Sequence, residues 1–243
     1  KNGALVYEGD YPSKMAMLIQ WDPLHNNVSY LRVDFNPAYA NIEHVYSLLH
    51  TVLPKGMDDI LKRAIFTRFD ATVDIEGVLP DRLVIFYPKK SVSQIHCKSG
   101  VVETLYLGTP SAANRVVVYD KRLQVKEKNE KFNLNLPLPK RPTTRVEIRM
   151  KPNVKAEALG GLENPFSNLT LRQASLLSEE GPELWRLFVA ILKFRGAQDA
   201  LLMLDESSRK LFKAKIRMVP CDWWKPDNIW KDWNDLVDET LML

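Results

Sequence analysis

The sequence predicts an α+β fold: a central, largely antiparallel β-sheet with helices packed on one face, followed by a C-terminal helical region. Three observations lead there. Segments of the first 150 residues alternate polar and apolar side chains, a helical stretch interrupts them, and past residue 168 the apolar spacing becomes helical. The length of 243 residues, 45% hydrophobic and 26% charged with 10 Gly and 15 Pro, excludes collagen-like, low-complexity and largely disordered chains.

Strand patterns run over Val28–Phe35, Phe66–Ile75, Val101–Leu107, Arg115–Lys121 and Thr144–Met150. In the second, Phe69, Ala71, Val73 and Ile75 share one face while Arg68, Asp70, Thr72 and Asp74 share the other. In the last, Val146, Ile148 and Met150 stand opposite Arg145, Glu147 and Arg149. Asn41–Leu53 carries Ile42, Val45, Leu48, Leu49 and Val52 at helical spacing and ends at Pro54 and Gly56. A short helix over Asp58–Arg63 follows, and Asn133–Arg141 reads as extended chain. Residues 1–151 form the sheet-rich region, and 152–168, rich in Pro, Gly and Asn, form a linker. Residues 169–243 hold three helices: one opened by Gly181-Pro182 with a stripe of Leu184, Leu187, Phe188, Ile191 and Leu192 and closed by Gly196, one capped by Asp205, and one bearing Ile229, Trp230, Trp233, Leu236 and Val237.

No apolar run approaches the roughly 20 residues that span a bilayer, so no membrane helix is expected. Cys97 and Cys221 lie far apart without a CxxC partner, which fits a reducing, cytoplasmic setting. The chain opens on Lys1 without Met, charged n-region or apolar h-region, which predicts a trimmed start and no signal peptide. Net charge is +4 and unevenly spread: residues 1–150 hold 21 basic against 16 acidic side chains, and the tail from Met218 holds 2 against 6. Such clustering suits a phosphate-binding surface or a solvated face.

The segment from Gly100 to Lys121 reads as a hairpin around Gly-Thr-Pro-Ser. Pairing Gly108 with Asn114 puts Glu103 directly opposite Tyr119, with Lys121 on the same face two residues on. Asp70 and Asp74 point the same way, about 13 Å apart along their strand, too far to chelate one ion together. Carboxylates, a tyrosine and cations on one sheet face suit phosphodiester transfer. A phenol, with a pKa of about 10, is a weak nucleophile at neutral pH. Mg²⁺ or Mn²⁺ held by carboxylates would polarise the phosphate, and Lys or Arg would neutralise developing charge. Attack by Tyr119 would store the bond as a phosphotyrosine.

Four motifs, R-F-D-x-x-x-D-I (Arg68 to Ile75), E-T-L-Y-L-G-T-x-S (Glu103 to Ser111), R-V-V-V-Y-D-K (Arg115 to Lys121) and R-V-E-I-R (Arg145 to Arg149), resemble the successive motifs of the Rep_trans family of rolling-circle plasmid replication initiators of Gram-positive bacteria, relatives of certain conjugative-element relaxases. The resemblance covers roughly Tyr30 to Lys151. It implies a homodimeric enzyme that nicks and closes one strand at a plasmid double-strand origin, single-stranded or extruded, and recruits a host helicase. On the matching positions Tyr119 would be the nucleophile, Asp74 and Glu103 metal ligands, Asp70 and Glu147 further acids, and Lys121 a phosphate contact. Arg68, Arg115, Arg145 and Arg149 would be DNA contacts. The turn after Gly108 departs from the family in reading Thr-Pro-Ser where a basic residue is expected. The four histidines, His25, His44, His50 and His96, form no His-hydrophobic-His motif, which excludes the HUH nickases.

Arg209, Lys210, Lys213, Lys215 and Arg217 form a basic helix that is either a DNA-contact element or a solvated face. Trp223, Trp224, Trp230 and Trp233 read as a core or dimer stripe rather than a base-stacking platform. His96 and Cys97 read as packing residues and Asp34 as structural.

Overall fold

The structure, a computed structural model, describes residues 2–7, 15–21, 31–36, 42–52, 62–87, 93–98, 101–177, 180–219 and 221–241. The start of the expected strand at Val28–Phe35 and most of the expected helix at Asp58–Arg63 lie outside them. The chain divides into two compact units, one of residues 1–65, 155–157 and 238–243, the other of residues 66–154 and 158–237.

In the first unit β1 (Asn2–Tyr7), β2 (Met15–Trp21) and β3 (Leu31–Phe35) form an antiparallel sheet. Helix α1 (Ile42–Val52) shares a core with it. Met17 and Ile19 alternate inward, and Val45 and Leu49 sit one helical turn apart, so two periodicities meet in one cluster. Asp34 pairs with Arg32 at 3.0 Å.

In the second unit an antiparallel sheet is built from β4 (Phe69–Glu76), β6 (Ser93–Lys98), β7 (Val101–Leu107), β8 (Asn114–Asp120) and β9 (Thr143–Met150), in the order β4-β9-β8-β7-β6. Its alternation gives one apolar face and one polar face. Ala71, Leu107, Val116, Val118, Val146, Ile148 and Met150 point to the apolar side, where Val116, Val118, Val146 and Ile148 are fully buried. A two-stranded ribbon, β5 (Leu83–Phe86) with β10 (Thr170–Gln173), lies against that side. Ile85 and Leu171 face the sheet's core, while Val84 joins a second cluster with Trp185, Phe188 and Phe212. That second cluster is supplied by α3 (Glu183–Leu202) and α4 (Glu206–Arg217).

Several expectations change here. Of the segment 152–168, residues 152–154 and 158–168 belong to this unit and 155–157 to the first, and Phe166 is part of the core. Helix α3 continues through Gly196, and it buries Trp185, Phe188, Val189, Leu192, Ala200 and Leu201 among its described side chains, while Leu184 and Leu187 are exposed. The tail tryptophans, by contrast, pack as their spacing predicts: Trp224 and Trp233 are buried and donate Nε1–H to the Leu169 and Leu159 carbonyls. Trp230 and Trp233 stack at 4.5 Å, while Trp223 is half-exposed.

The polar face carries a helix absent from the sequence reading, α2 (Lys121–Phe132), which continues directly from β8. Asp120 accepts from the Leu123 amide at its start, and Asn133 ends it in the left-handed conformation. Just beyond, the Asn129 side chain both donates to and accepts from the Leu136 backbone.

Candidate active site

Position 119 falls on the polar face because β8 alternates with period two: Val116 and Val118 go to the core, and Arg115, Val117 and Tyr119 go the other way. Opposite them on β9 stand Arg149, Glu147 and Arg145. Across from these on β4 stand Asp70, Thr72 and Asp74. The three motif strands therefore place Asp70, Asp74, Arg115, Tyr119, Arg145, Glu147 and Arg149 on one surface, as the alternation predicts.

The hairpin register differs from expectation by one residue. Thr104, not Glu103, stands opposite Tyr119. A one-residue slip ordinarily turns a side chain to the other face. Here the ladder of β6 and β7 steps from His96 opposite Thr104 to Cys97 opposite Val102, which leaves Glu103 as the extra residue of a bulge. Bulges re-aim side chains. Both Glu103 and Thr104 line a cleft of about 240 Å³ together with Tyr106, Tyr119, Asp120, Gln124, Glu127, Glu147 and Arg149.

Tyr119 is only 8% exposed, yet its hydroxyl lies among polar groups rather than hydrocarbon. It donates to Glu147 Oε2 at 3.4 Å. Glu147 Oε1 accepts from Arg149 Nε at 2.6 Å, which fixes the carboxylate plane. Burial pushes the phenol up to about 12, and the Glu147 carboxylate adds to the rise, against the opposing pull of Arg145 and Gln124. The resting group is a protonated phenol. Lys121 is the first residue of α2 rather than the last of a strand; its Nζ donates to Gln124 Oε1 at 2.9 Å. Burial, with Arg145 and Lys128 nearby, brings its ammonium down to about 8. Gln124 touches both Tyr119 and Lys121 and was not anticipated. Its signal was the run of helix formers after a capping Asp.

Of the expected metal ligands, Glu103 and Glu147 line the cleft together, while Asp70 and Asp74 are each held by an arginine. Arg145 grips both Asp74 oxygens at 2.6 Å, and Arg68 grips Asp70 at 2.5 and 2.9 Å. Glu147 is engaged by Arg149 and Tyr119. Among the described residues no three His, Cys, Asp or Glu side chains gather closely enough to hold an ion. Glu103 faces the cleft without an ion pair among those residues. One cleft carboxylate with water and substrate phosphates is still an ordinary way to hold Mg²⁺. Glu103 fits that minimal role; Asp70 and Asp74 would have to exchange their arginine partners for the ion.

The basic helix takes no part in the cleft. Arg209 donates to the Leu201 and Leu204 carbonyls, Lys210 pairs with Glu206, and Lys215 lies 3.9 Å over the Trp185 ring; Lys213 is half-buried on the same helix. The side chains of His96 and Cys97 lie outside the description.

No family model and no curated protein matches the chain. Among solved structures it is similar to a rolling-circle replication initiator protein from Geobacillus stearothermophilus, at 15% identity over 75% of this chain and 76% of that one, with a TM-score of 0.32. A likeness that weak carries no argument about chemistry. No helix among the described residues is long and apolar enough to cross a membrane.

Proposed function

We propose that the protein is a rolling-circle replication initiator that nicks and rejoins DNA through Tyr119. The observation that carries the reading is the phenol itself: a tyrosine hydroxyl on the polar side of a sheet, hydrogen-bonded to Glu147, in a cleft shared with Glu103. The four motifs in order support it from the sequence side.

In the forward step the Tyr119 oxygen forms a bond to phosphorus as the bond from phosphorus to the 3′ oxygen breaks. The 5′ phosphate stays on the tyrosine, and reversal by a 3′ hydroxyl restores the strand. The phenol proton has an acceptor in place at Glu147 Oε2, held in orientation by Arg149. Arg145 beside the phenol, with Lys121 reaching it through Gln124, would supply positive charge for the pentavalent transition state. Glu103 would hold a Mg²⁺ or Mn²⁺ ion, which when bound polarises a phosphate oxygen. The buried phenol favours a single or extruded strand, since only a flexible backbone reaches beneath α2. A homodimer on plasmid origin DNA, a host helicase partner and a cytoplasmic location belong to the same proposal.

One observation favours a rival, a DNA-binding protein without cleavage: the phenol is buried and strongly protonated. The test is relaxation of a supercoiled plasmid carrying the DNA that flanks the chain's own coding sequence, with Mg²⁺ or Mn²⁺. The proposal expects nicked and relaxed circles from wild type and none from Tyr119→Phe. Binding without relaxation would establish the rival, and undiminished cutting by Tyr119→Phe would make the protein a hydrolytic nuclease.

A further inference from the structure

At the far end of the polar face, two guanidinium groups meet across the ladder. Arg115 of β8 stands directly opposite Arg149 of β9. Directly opposed residues are about 4.5–5.5 Å apart at Cβ, and like charges there are destabilising. Glu147 takes Arg149 Nε. Arg115 has no carboxylate partner among the described residues; its guanidinium lies 4.3 Å over the Tyr106 ring, and its Nε is buried without a hydrogen-bond acceptor. A buried donor of a charged group left unmatched costs stability.

The surroundings deepen the imbalance. Asp70, on the other flank of Arg149, is held by Arg68. Lys151, two residues on, donates to the Pro110 carbonyl of the hairpin turn. Four cations, Arg68, Arg115, Arg149 and Lys151, thus share this end with two acids, Asp70 and Glu147. Arg115 is also two same-face positions from Tyr119, about 13 Å along the strand, and Tyr106 and Arg149 line the Tyr119 cleft.

We propose that Arg115 and Arg149 form a phosphate subsite that grips the backbone of the single DNA strand engaged at Tyr119, a few nucleotides from the scissile phosphate. The inference rests on that reading of Tyr119. A phosphodiester supplies what the pair lacks: an anion that accepts from two planar forks at once and removes their mutual repulsion. The Tyr106 ring holds the Arg115 plane in place beforehand, which reduces the ordering cost of binding. The contact is to backbone, so it positions the strand without reading bases.

Binding of a short fluorescent oligothymidylate, titrated over a range of salt without cleavage, tests this. Arg115→Gln is expected to weaken binding about tenfold at low salt, the scale of one charge-assisted contact. It should also lower the slope of log affinity against log salt by about 0.7, the value for one single-strand phosphate. Arg115→Lys should keep the slope and recover only part of the affinity. Arg186→Gln, on the exposed face of α3, should change neither. The free Arg115→Gln protein should melt at or above the wild-type temperature. Unchanged affinity and slope, or a lower melting temperature with unchanged binding, would overturn the subsite and leave Arg115 a structural partner of Tyr106. Should Arg115→Gln not fold, wild-type affinity in Arg115→Lys overturns it equally. The two readings separate cleanly. A strand gripped through Arg115 with no covalent adduct in wild type removes the nicking reading alone; an adduct with Arg115→Gln binding unchanged removes the subsite alone.

Discussion

Tyr119 and Lys121 are held in opposite senses by the same burial: one is kept protonated and the other is encouraged to lose its proton. The consequences for stability have a definite sign. Lys121 has a folded value of about 8 against an ordinary 10.5, so between those values the unfolded chain binds a proton the folded chain has released. Stability contributed by this residue therefore rises with pH across that window. Tyr119, at about 12 against 10.0, acts in reverse, lowering stability as pH rises from 10 towards 12. Chemical denaturation at pH 8 and pH 10 should show wild type gaining stability relative to Lys121→Gln; a constant difference contradicts the buried ammonium. Tyr119→Phe should cost no more than about 1 kcal/mol by urea denaturation, since the hydroxyl's hydrogen bond is long. A loss of several kcal/mol would make the hydroxyl a structural group.

At the scale of elements, what the sequence made legible follows from period and from caps. Strands β4 and β9 were readable because polar and apolar side chains alternate along them, so Val146 and Ile148 against Arg145, Glu147 and Arg149 could be sorted by face, while β8 is buried on both faces from Val116 to Tyr119. Helix α2 was not readable that way. Its apolar residues are sparse, with Val125 buried and Leu123 half-buried, so it looks like a solvated charged segment although its Asp120 cap and Asn133 stop are present. The bulge at Glu103 leaves no local mark either, since it is fixed by the partner strand and carries no Gly. For the helix the expected outcome is specific. Asp120→Ala should lower stability by about 1 kcal/mol in denaturant titrations, the worth of an N-cap. No change would mean that packing alone holds α2 over Tyr119.

Across the whole second unit, one sheet separates two environments: a dry core against the ribbon and tryptophans, and a charged face under α2. Ile148 is fully buried at the centre of that core, so Ile148→Ala should cost about 2–5 kcal/mol. Its melting curve checks this, and a loss below 1 kcal/mol would mean the core is not closed there. The apolar face was legible as a whole, but partnerships on the charged face were not. Whether Asp74 holds an ion or Arg145 depends on which arginine lies opposite it across the ladder, and periodicity gives the face of a residue without its register. The central claim is that DNA becomes attached to one phenolic oxygen. Peptide mapping by mass spectrometry after incubation with cleavable DNA and Mg²⁺ or Mn²⁺ tests it most directly. The nucleotide should be found on Tyr119; its attachment to Tyr106, which lines the same cleft, or to no tyrosine at all would contradict the account.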